Sequence, residues 1–420
     1  MTRHVHVHVP ASSSNLGGGF DCVGIAVNRW LSVTAHLDPT STVDARITRA
    51  GTLANLGVAP AEDRIVIGFR AACTYAGRVA PRGLVLRAES TIPVARGLGS
   101  SAAAAVAGAV AANGLLDLGL DQGAVLAIAA GIEGHPDNAA PAVHGGATLA
   151  IARACPDGPS AIAVRTLSVA PDVVLVLAVP ELTVETIRAR AVLPPTVPHE
   201  IAARAAALGA ALVHGLAAGD PILLAAALDD VLHVPYRRHL VPGFDDVVDA
   251  ARHAGAFGAT LSGSGASVVA LAPRPAAHDV ARAMHSAWAR HGVSAEAFES
   301  VTPSRGYRAR LAHRQHPAKA RIPSSIRSHA MPVTLHLPAV LAKLADRQAI
   351  ETAGATVGEA VANVAGRYPA LGPRLRDEAG NPYPFVTFYL NDEDIRFQGG
   401  FAAPLADGDE LTIVPAIAGG

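Results

Sequence analysis

The stretch PVARGLGSSAAAA, Pro93 to Ala105, is a glycine-serine turn that opens directly into an alanine run. Gly97 and Gly99 remove side chains where backbone can wrap an anion, and Ser100 and Ser101 place hydroxyls at the start of a predicted helix reaching about Asn113. A helix start leaves unpaired amides pointing at such an anion, and a serine hydroxyl there can complete a magnesium shell. The spacing is neither a Walker-type phosphate loop nor a dinucleotide fingerprint. Taken alone, the stretch is also readable as a tight strand-to-helix turn.

Upstream, Val5 to Val9 alternate apolar and polar like a half-covered strand, a turn-rich PASSSNLGGGFD follows at Pro10 to Asp21, and Cys22 to Thr34 reads as another strand. A helix is expected at Pro60 to Gly77 and a strand near Leu84 to Ala88. Downstream, a helix over roughly Asp121 to Glu133 feeds the polar turn GHPDNAAP. The next region opens with VVLVLAV, carries helices near Ile201 to Ala218 and Ile222 to Val231, and closes on the glycine-rich LSGSGAS, Leu261 to Ser267. Mixed strand and helix signals make the class α+β or a two-layer sandwich.

The 420 residues allow two or three domains. Half are apolar, which excludes a wholly disordered chain. With 34 basic and 35 acidic residues and 4% aromatics, there is neither a global field for a polyanion nor a base-stacking surface, so no nucleic acid is expected. Cys22, Cys73 and Cys155 are too few and too scattered for a disulfide framework, and no secretory or membrane-spanning run is evident. These features point to a cytoplasmic enzyme with no membrane partner. His4, His6 and His8 share one strand face and read as solvent-facing rather than as metal ligands. Composition changes after Ser304: Arg305 to His329 hold seven basic and no acidic residues, a stretch read as a linker. The expected division is 1–160 and 161–304 for two larger domains, 305–330 for the basic linker and 331–420 for a small terminal domain.

Four loops in order, PASSSNLGGGFD, IPVARGLGSSAA, EGHPDNAAP and LSGSGAS, together resemble the GHMP small-molecule kinases, and within them the homoserine kinases, over about residues 3 to 304. The resemblance implies a ribosomal-protein-S5-like N-terminal part and a ferredoxin-like C-terminal part, with ATP and Mg2+ used to phosphorylate L-homoserine. It puts Pro93, Arg96, Gly97, Leu98, Gly99, Ser100, Ser101 and Ala102 around ATP, and Ser100 or Ser101 with Glu133 around magnesium. Asn15, Asp21, His135, Arg190 and Arg237 fall at the amino-acid pocket, with Asp21 suited to the ammonium and the two arginines to the carboxylate. Glu133, Asp137 and Asn138 are the catalytic set. Asp137 is a candidate base, and a mechanism in which phosphate accepts the proton stays open. A homodimer is admitted. Gly18 stands where the family usually has proline, a change expected to loosen the first loop. Another GHMP acceptor, mevalonate or a sugar, is the nearest alternative, and a non-catalytic scaffold the farthest.

The tail offers VTLHLPAVL, FVTFYLNDEDIRFQGG and LADGDELTIVPAIAGG, with strands expected at Val333 to Leu337, Phe385 to Leu390 and Leu411 to Val414 and a helix at Thr356 to Tyr368. These segments resemble the ubiquitin-like sulfur-carrier proteins. That resemblance implies a β-grasp fold, a Gly419-Gly420 ending that becomes a thiocarboxylate, and as partners an E1-like adenylating enzyme and a sulfur donor.

Overall fold

The computed structural model describes residues 2–153, 161–300, 302, 305–314, 332–377, 386–391, 393–395, 400–405 and 409–415. Cys155, the greater part of the basic stretch, and Gly419 and Gly420 lie outside them. The chain divides into two compact units, Met1–Pro317 and Ala318–Gly420.

The first unit opens with a sheet built from β1 (Thr2–Ser14), β2 (Val23–Leu37), β3 (Ala45–Gly51), β4 (Leu84–Ser90), β5 (Ala147–Arg153) and β6 (Ala161–Leu167). Strand β1 pairs with β2, β2 with β4, and β4 runs parallel to β3, while β5 joins the start of β2 at Val23–Ile25 and carries β6. Helices α2 (Ser100–Leu116), α3 (Gln122–Glu133) and α4 (Ala139–His144) pack on it, and α1 (Arg64–Tyr75) packs on α2 and α3. Val5, Val7, Val9 and Ala11 point from β1 into this core at 1% exposure or less. Each valine there contributes roughly 1.5–3 kcal/mol of apolar burial.

Helix α2 has no polar face to spare: eleven of its residues are buried, from Ala102 to Leu115. A helix apolar all round belongs in an interior. Its small side chains let α1 cross it backbone to backbone. A β-carbon on Gly108 would lie 1.9 Å from the Ile65 carbonyl oxygen, and one on Gly68 would lie 2.2 Å from that of Ala105.

The second half of the unit has α5 (Thr186–Ala191), α6 (His199–Ala218), α7 (Pro221–Ala227), α8 (Val234–Arg237), α9 (Phe244–His253) and α10 (Ala277–Arg290). Its sheet comprises β7 (Val173–Pro180), β8 (Gly258–Leu261), β9 (Val268–Pro273) and β10 (Ala295–Ser300), in the order β10-β7-β9-β8 and antiparallel throughout. Numbered within this half, that order is 4-1-3-2 with α9 and α10 packed on the strands, the ferredoxin-like arrangement. Trp288, Met284 and Val280 of α10 are fully buried against it.

Three expectations need correcting. Residues Arg308–Arg314 are not linker: they form β11, an antiparallel edge strand on β1 with Val7 opposite Ala309. Arg308, Ala309, Arg310 and Leu311 are all exposed, as a charged edge strand allows, and charge counting alone reads such a segment as a solvated run. The turn assigned to Pro10–Asp21 begins later, because β1 continues through Ser14 after a register shift at Pro10/Ala11. Nor do the strand histidines simply face solvent. His6 and His8 hydrogen-bond Thr34 and Ser32 of β2, both at 3.0 Å, and His4 lies over His36.

The second unit is a β-grasp. Its strands are β12 (Pro332–His336), β13 (Ala349–Ala353), β14 (Val386–Leu390), β15 (Glu393–Asp394) and β16 (Glu410–Pro415), ordered β13-β12-β16-β14-β15 with the first and last strands in sequence, β12 and β16, parallel. Helices α11 (Ala339–Ala345), α12 (Val357–Arg367) and α13 (Gly372–Leu375) complete it. Val357, Ala360, Val361 and Val364 of α12 pack with Leu335, Phe388, Leu411 and Ile413 in one core. Thr356 caps α12 by accepting the Glu359 amide, and Glu359 accepts the Ala355 amide in return.

Candidate active site

The serine run Ser12–Ser14 is the frame on which the loops meet. All three residues are fully buried. Ser12 donates its amide to the Leu98 carbonyl at 3.2 Å and its hydroxyl to Asn138 Oδ1 at 2.9 Å; Asn138 Nδ2 donates to Ser14 Oγ at 2.8 Å. Ser13 Oγ lies 2.8 Å from Ser262 Oγ, which donates to the Gly97 carbonyl at 2.6 Å. The Gly263 amide donates to the Ser14 carbonyl. Thus the glycine-serine turn, the HPDN turn and the LSGSGAS turn are stitched to one strand end. Sequence reading missed these serines as site residues; the run SSS between the Val5–Val9 alternation and the Gly17–Gly19 turn is the signal that could have pointed to them.

At the start of α2, Gly99 has a left-handed φ of 65° and a β-carbon there would lie 2.1 Å from Ser12 Oγ. The first helical bond runs from the Ala103 amide to the Gly99 carbonyl, so the amides of Ser100, Ser101 and Ala102 precede the ladder. Leu98 and Ala102 are buried at 1% and 0% exposure, backbone included, while Pro93, Arg96, Gly97, Ser100 and Ser101 are half-exposed. Ser101 Oγ donates to Glu133 Oε1 at 2.6 Å, joining the start of α2 to the end of α3. Two hard oxygens held together beside free amides form a donor set that fits a magnesium ion.

Asp137 is fully buried, with Oδ1 bonded to His135 Nδ1 and Oδ2 without a hydrogen-bond partner among the described residues. Burial would lower the His135 pKa, but the hydrogen bond and charge of Asp137 outweigh it and raise it. Asp21, His135 and Asp137 bring one donor atom each within 4.8 Å of one another.

Arg190 on α5 forks onto Asp21, with Nη2–Oδ1 at 2.7 Å and Nη1–Oδ2 at 3.1 Å. The Asp21 hydrogen bond, ahead of burial, holds the Arg190 pKa above its usual value. Arg237 is 1% exposed, and its Nε donates to the Ala189 carbonyl at 2.9 Å. Burial first, and the charge of Arg190 second, push Arg237 down to about 10. Among the described residues it forms no ion pair with a carboxylate. Asn15, 4% exposed at φ 58°, accepts the Asp21 amide at 2.9 Å and donates to the Gly263 carbonyl at 3.0 Å. Gly18 does not loosen this loop: a β-carbon there would meet the Leu208 backbone at 2.5 Å, so α6 holds the turn in place. Asp21 is thus paired with Arg190 and lies near His135 and Asp137, Asn15 and Arg237 meet at the Gly263 carbonyl, and Ser101 pairs separately with Glu133.

Residues 65–146 match the family described as GHMP kinases N terminal domain, residues 212–290 the GHMP kinases C terminal family, and residues 335–420 the ThiS family. The homoserine kinase of Gloeobacter violaceus is 40% identical over 292 residues, covering 67% of this chain and 92% of the relative. That of Moorella thermoacetica is 40% identical over 302 residues, covering 71% and 98%. Among solved structures, the homoserine kinase of Cytophaga hutchinsonii superposes with a TM-score of 0.64 at 30% identity, covering 73% of this chain and 97% of that one. An L. major mevalonate kinase, at 16% identity and a TM-score of 0.53, shares the fold. The stitched loops and these likenesses agree, and the chain belongs to the homoserine kinases of the GHMP kinase family, with a ThiS-family β-grasp domain fused behind.

Proposed function

We propose that the first unit transfers the γ-phosphoryl group of ATP to the side-chain hydroxyl of L-homoserine, giving O-phospho-L-homoserine and ADP. The carrying observation is the Ser101–Glu133 pair at the start of α2 together with Asp137 Oδ2, which has no hydrogen-bond partner among the described residues, each next to a turn that Ser12–Ser14 holds through Leu98 or Asn138. Phosphate oxygens take the amides of the half-exposed Gly97, Gly99, Ser100 and Ser101 and the positive end of the α2 dipole. Ser101 and Glu133 would hold magnesium, which supplies charge neutralisation on the transferring phosphate.

The acceptor is a zwitterion, and the pocket holds matching charges. Its ammonium takes Asp21, near His135 and Asp137, and its carboxylate takes Arg190 and Arg237, so the substrate replaces the internal Asp21–Arg190 pair with two ion pairs of its own. Asp137 Oδ2 accepts the hydroxyl proton as the oxygen–phosphorus bond forms, while His135 holds Oδ1 and Asn138 holds the turn. The test is an ATP-consumption panel with L-homoserine, L-threonine, mevalonate and galactose and product identification; turnover only with a non-amino-acid acceptor sinks the assignment.

For the ThiS-family unit we propose sulfur carriage at the Gly419-Gly420 tail: an E1-like enzyme adenylates the carboxylate with release of pyrophosphate, and sulfide attacks the acyl adenylate and displaces AMP to leave a thiocarboxylate. Intact mass after incubation with ATP, such an enzyme and a sulfur source should show one sulfur-for-oxygen exchange, and an unchanged mass with an active partner rules it out.

A further inference from the structure

His233 has no part in the sequence reading, yet it sits behind the acceptor pocket as a fully buried imidazole. Its backbone is fixed by Asp230, whose Oδ2 accepts the amides of Leu232, His233 and Val234 at 3.0, 2.6 and 2.7 Å. Its Nε2 lies 3.1 Å from the Asn15 carbonyl oxygen. A carbonyl can only accept, so Nε2 carries the proton. Nδ1 is then a lone pair, and it faces Arg237 Nη1, a donor, at 3.5 Å. Phe20 stacks on the imidazole with ring centroids 5.0 Å apart and also lies 5.3 Å beneath the Arg237 guanidinium. Asp230 Oδ1, at 3.9 Å from Nε2, is too far to compete for the proton. Burial, as the largest effect, pushes the imidazole down to about 4, in keeping with the neutral ring that this bonding demands.

The two ends of this ring lead to opposite sides of the substrate. Asn15 receives the Asp21 amide, and both Asn15 Nδ2 and Arg237 Nη1 reach the Gly263 carbonyl, at 3.0 and 3.4 Å. We infer that His233 is a positioning residue that sets the separation of the ammonium-binding Asp21 from the carboxylate-binding Arg237, through Nε2–H to Asn15 and Nδ1 to Arg237. The inference rests on the acceptor-pocket reading above. A charged ring would set two cations against each other, and an apolar ring would release both tethers. The chain of bonds meets the phosphate turn through the LSGSGAS turn, whose Ser262 donates to the Gly97 carbonyl, so its effect on the acceptor side should exceed that on the ATP side.

The full chain is assayed with His233→Phe, which keeps the ring volume, and His233→Gln, whose amide keeps a donor near the Nε2 position. His233→Phe should raise KM for L-homoserine about tenfold or more with a smaller change in KM for ATP, and His233→Gln should restore most of the loss. Equal homoserine KM values for both variants, or an equal rise in KM for ATP, overturn the inference. Asp21→Asn is run alongside. If it raises the homoserine KM while His233→Phe does not, the positioning role alone fails; if Asp21→Asn has no effect, the pocket reading falls and takes this inference with it. Nitrogen NMR of the wild-type ring needs no variant to fold: an Nε2–H neutral tautomer at neutral pH supports the role, and an Nδ1–H or charged ring overturns it.

Discussion

Arg190 and Asp21, 169 residues apart, hold each other in a two-pronged ion pair at 2.7 and 3.1 Å. Each is about one-third exposed, so the pair stands at the mouth of the pocket where a zwitterion can exchange with it. Arg190→Lys keeps the charge and loses the fork. It should raise the KM for L-homoserine about tenfold or more, with little change in the KM for ATP. Initial-rate kinetics in both substrates check this, and a rise in both constants argues against a role confined to the acceptor.

Ser101 meets Glu133 at the phosphate end instead. Ser101→Ala should lower kcat by about 10²–10³ and move the magnesium dependence to higher concentration, as loss of one element of a preorganised charge-stabilising site does. A magnesium titration at saturating homoserine reads both, and an unmoved titration midpoint removes Ser101 from the metal site.

Asp137→Asn preserves shape but not basicity. If Oδ2 receives the proton, kcat should fall about 10²–10⁴ while homoserine binding is largely kept. Retention of activity within a few-fold transfers the proton to phosphate.

The His135–Asp137 contact makes stability depend on pH. The folded His135 pKa is raised above its ordinary 6.5, so its contribution is complete below pH 6.5 and is lost as pH rises through the raised value. The Tm difference between wild type and His135→Gln should therefore be largest in mild acid and shrink in mild alkali. A difference that grows with pH contradicts the assigned direction.

Gly108→Ala places a methyl group against the Ile65 carbonyl where α1 and α2 touch. Forced separation of the two helices should cost about 1–3 kcal/mol, read as a lower midpoint in urea. Unchanged stability would mean that the crossing opens freely.

The Gly97 to Ser101 turn, the HPDN turn and the order of the four loops were legible in sequence because each is a local device: glycines for close approach, serines at a helix start, a polar turn after an alanine-rich helix. So were three strands and one helix of the terminal β-grasp, which fall within a residue or two of their expected places, while α11, β13, α13 and β15 were not read. Cross-chain pairing was not legible. Nothing near Arg308 says that its neighbour is His8, and nothing near His233 says that its imidazole must reach the Asn15 carbonyl 218 residues away. Residue chemistry and local periodicity are properties of neighbours in the chain, and they determined what the phosphate loop could bind. Which serine faces Glu133, which arginine stands free of a carboxylate, and which histidine is held neutral depend on burial and on groups brought together only by packing, and the tertiary structure decided them.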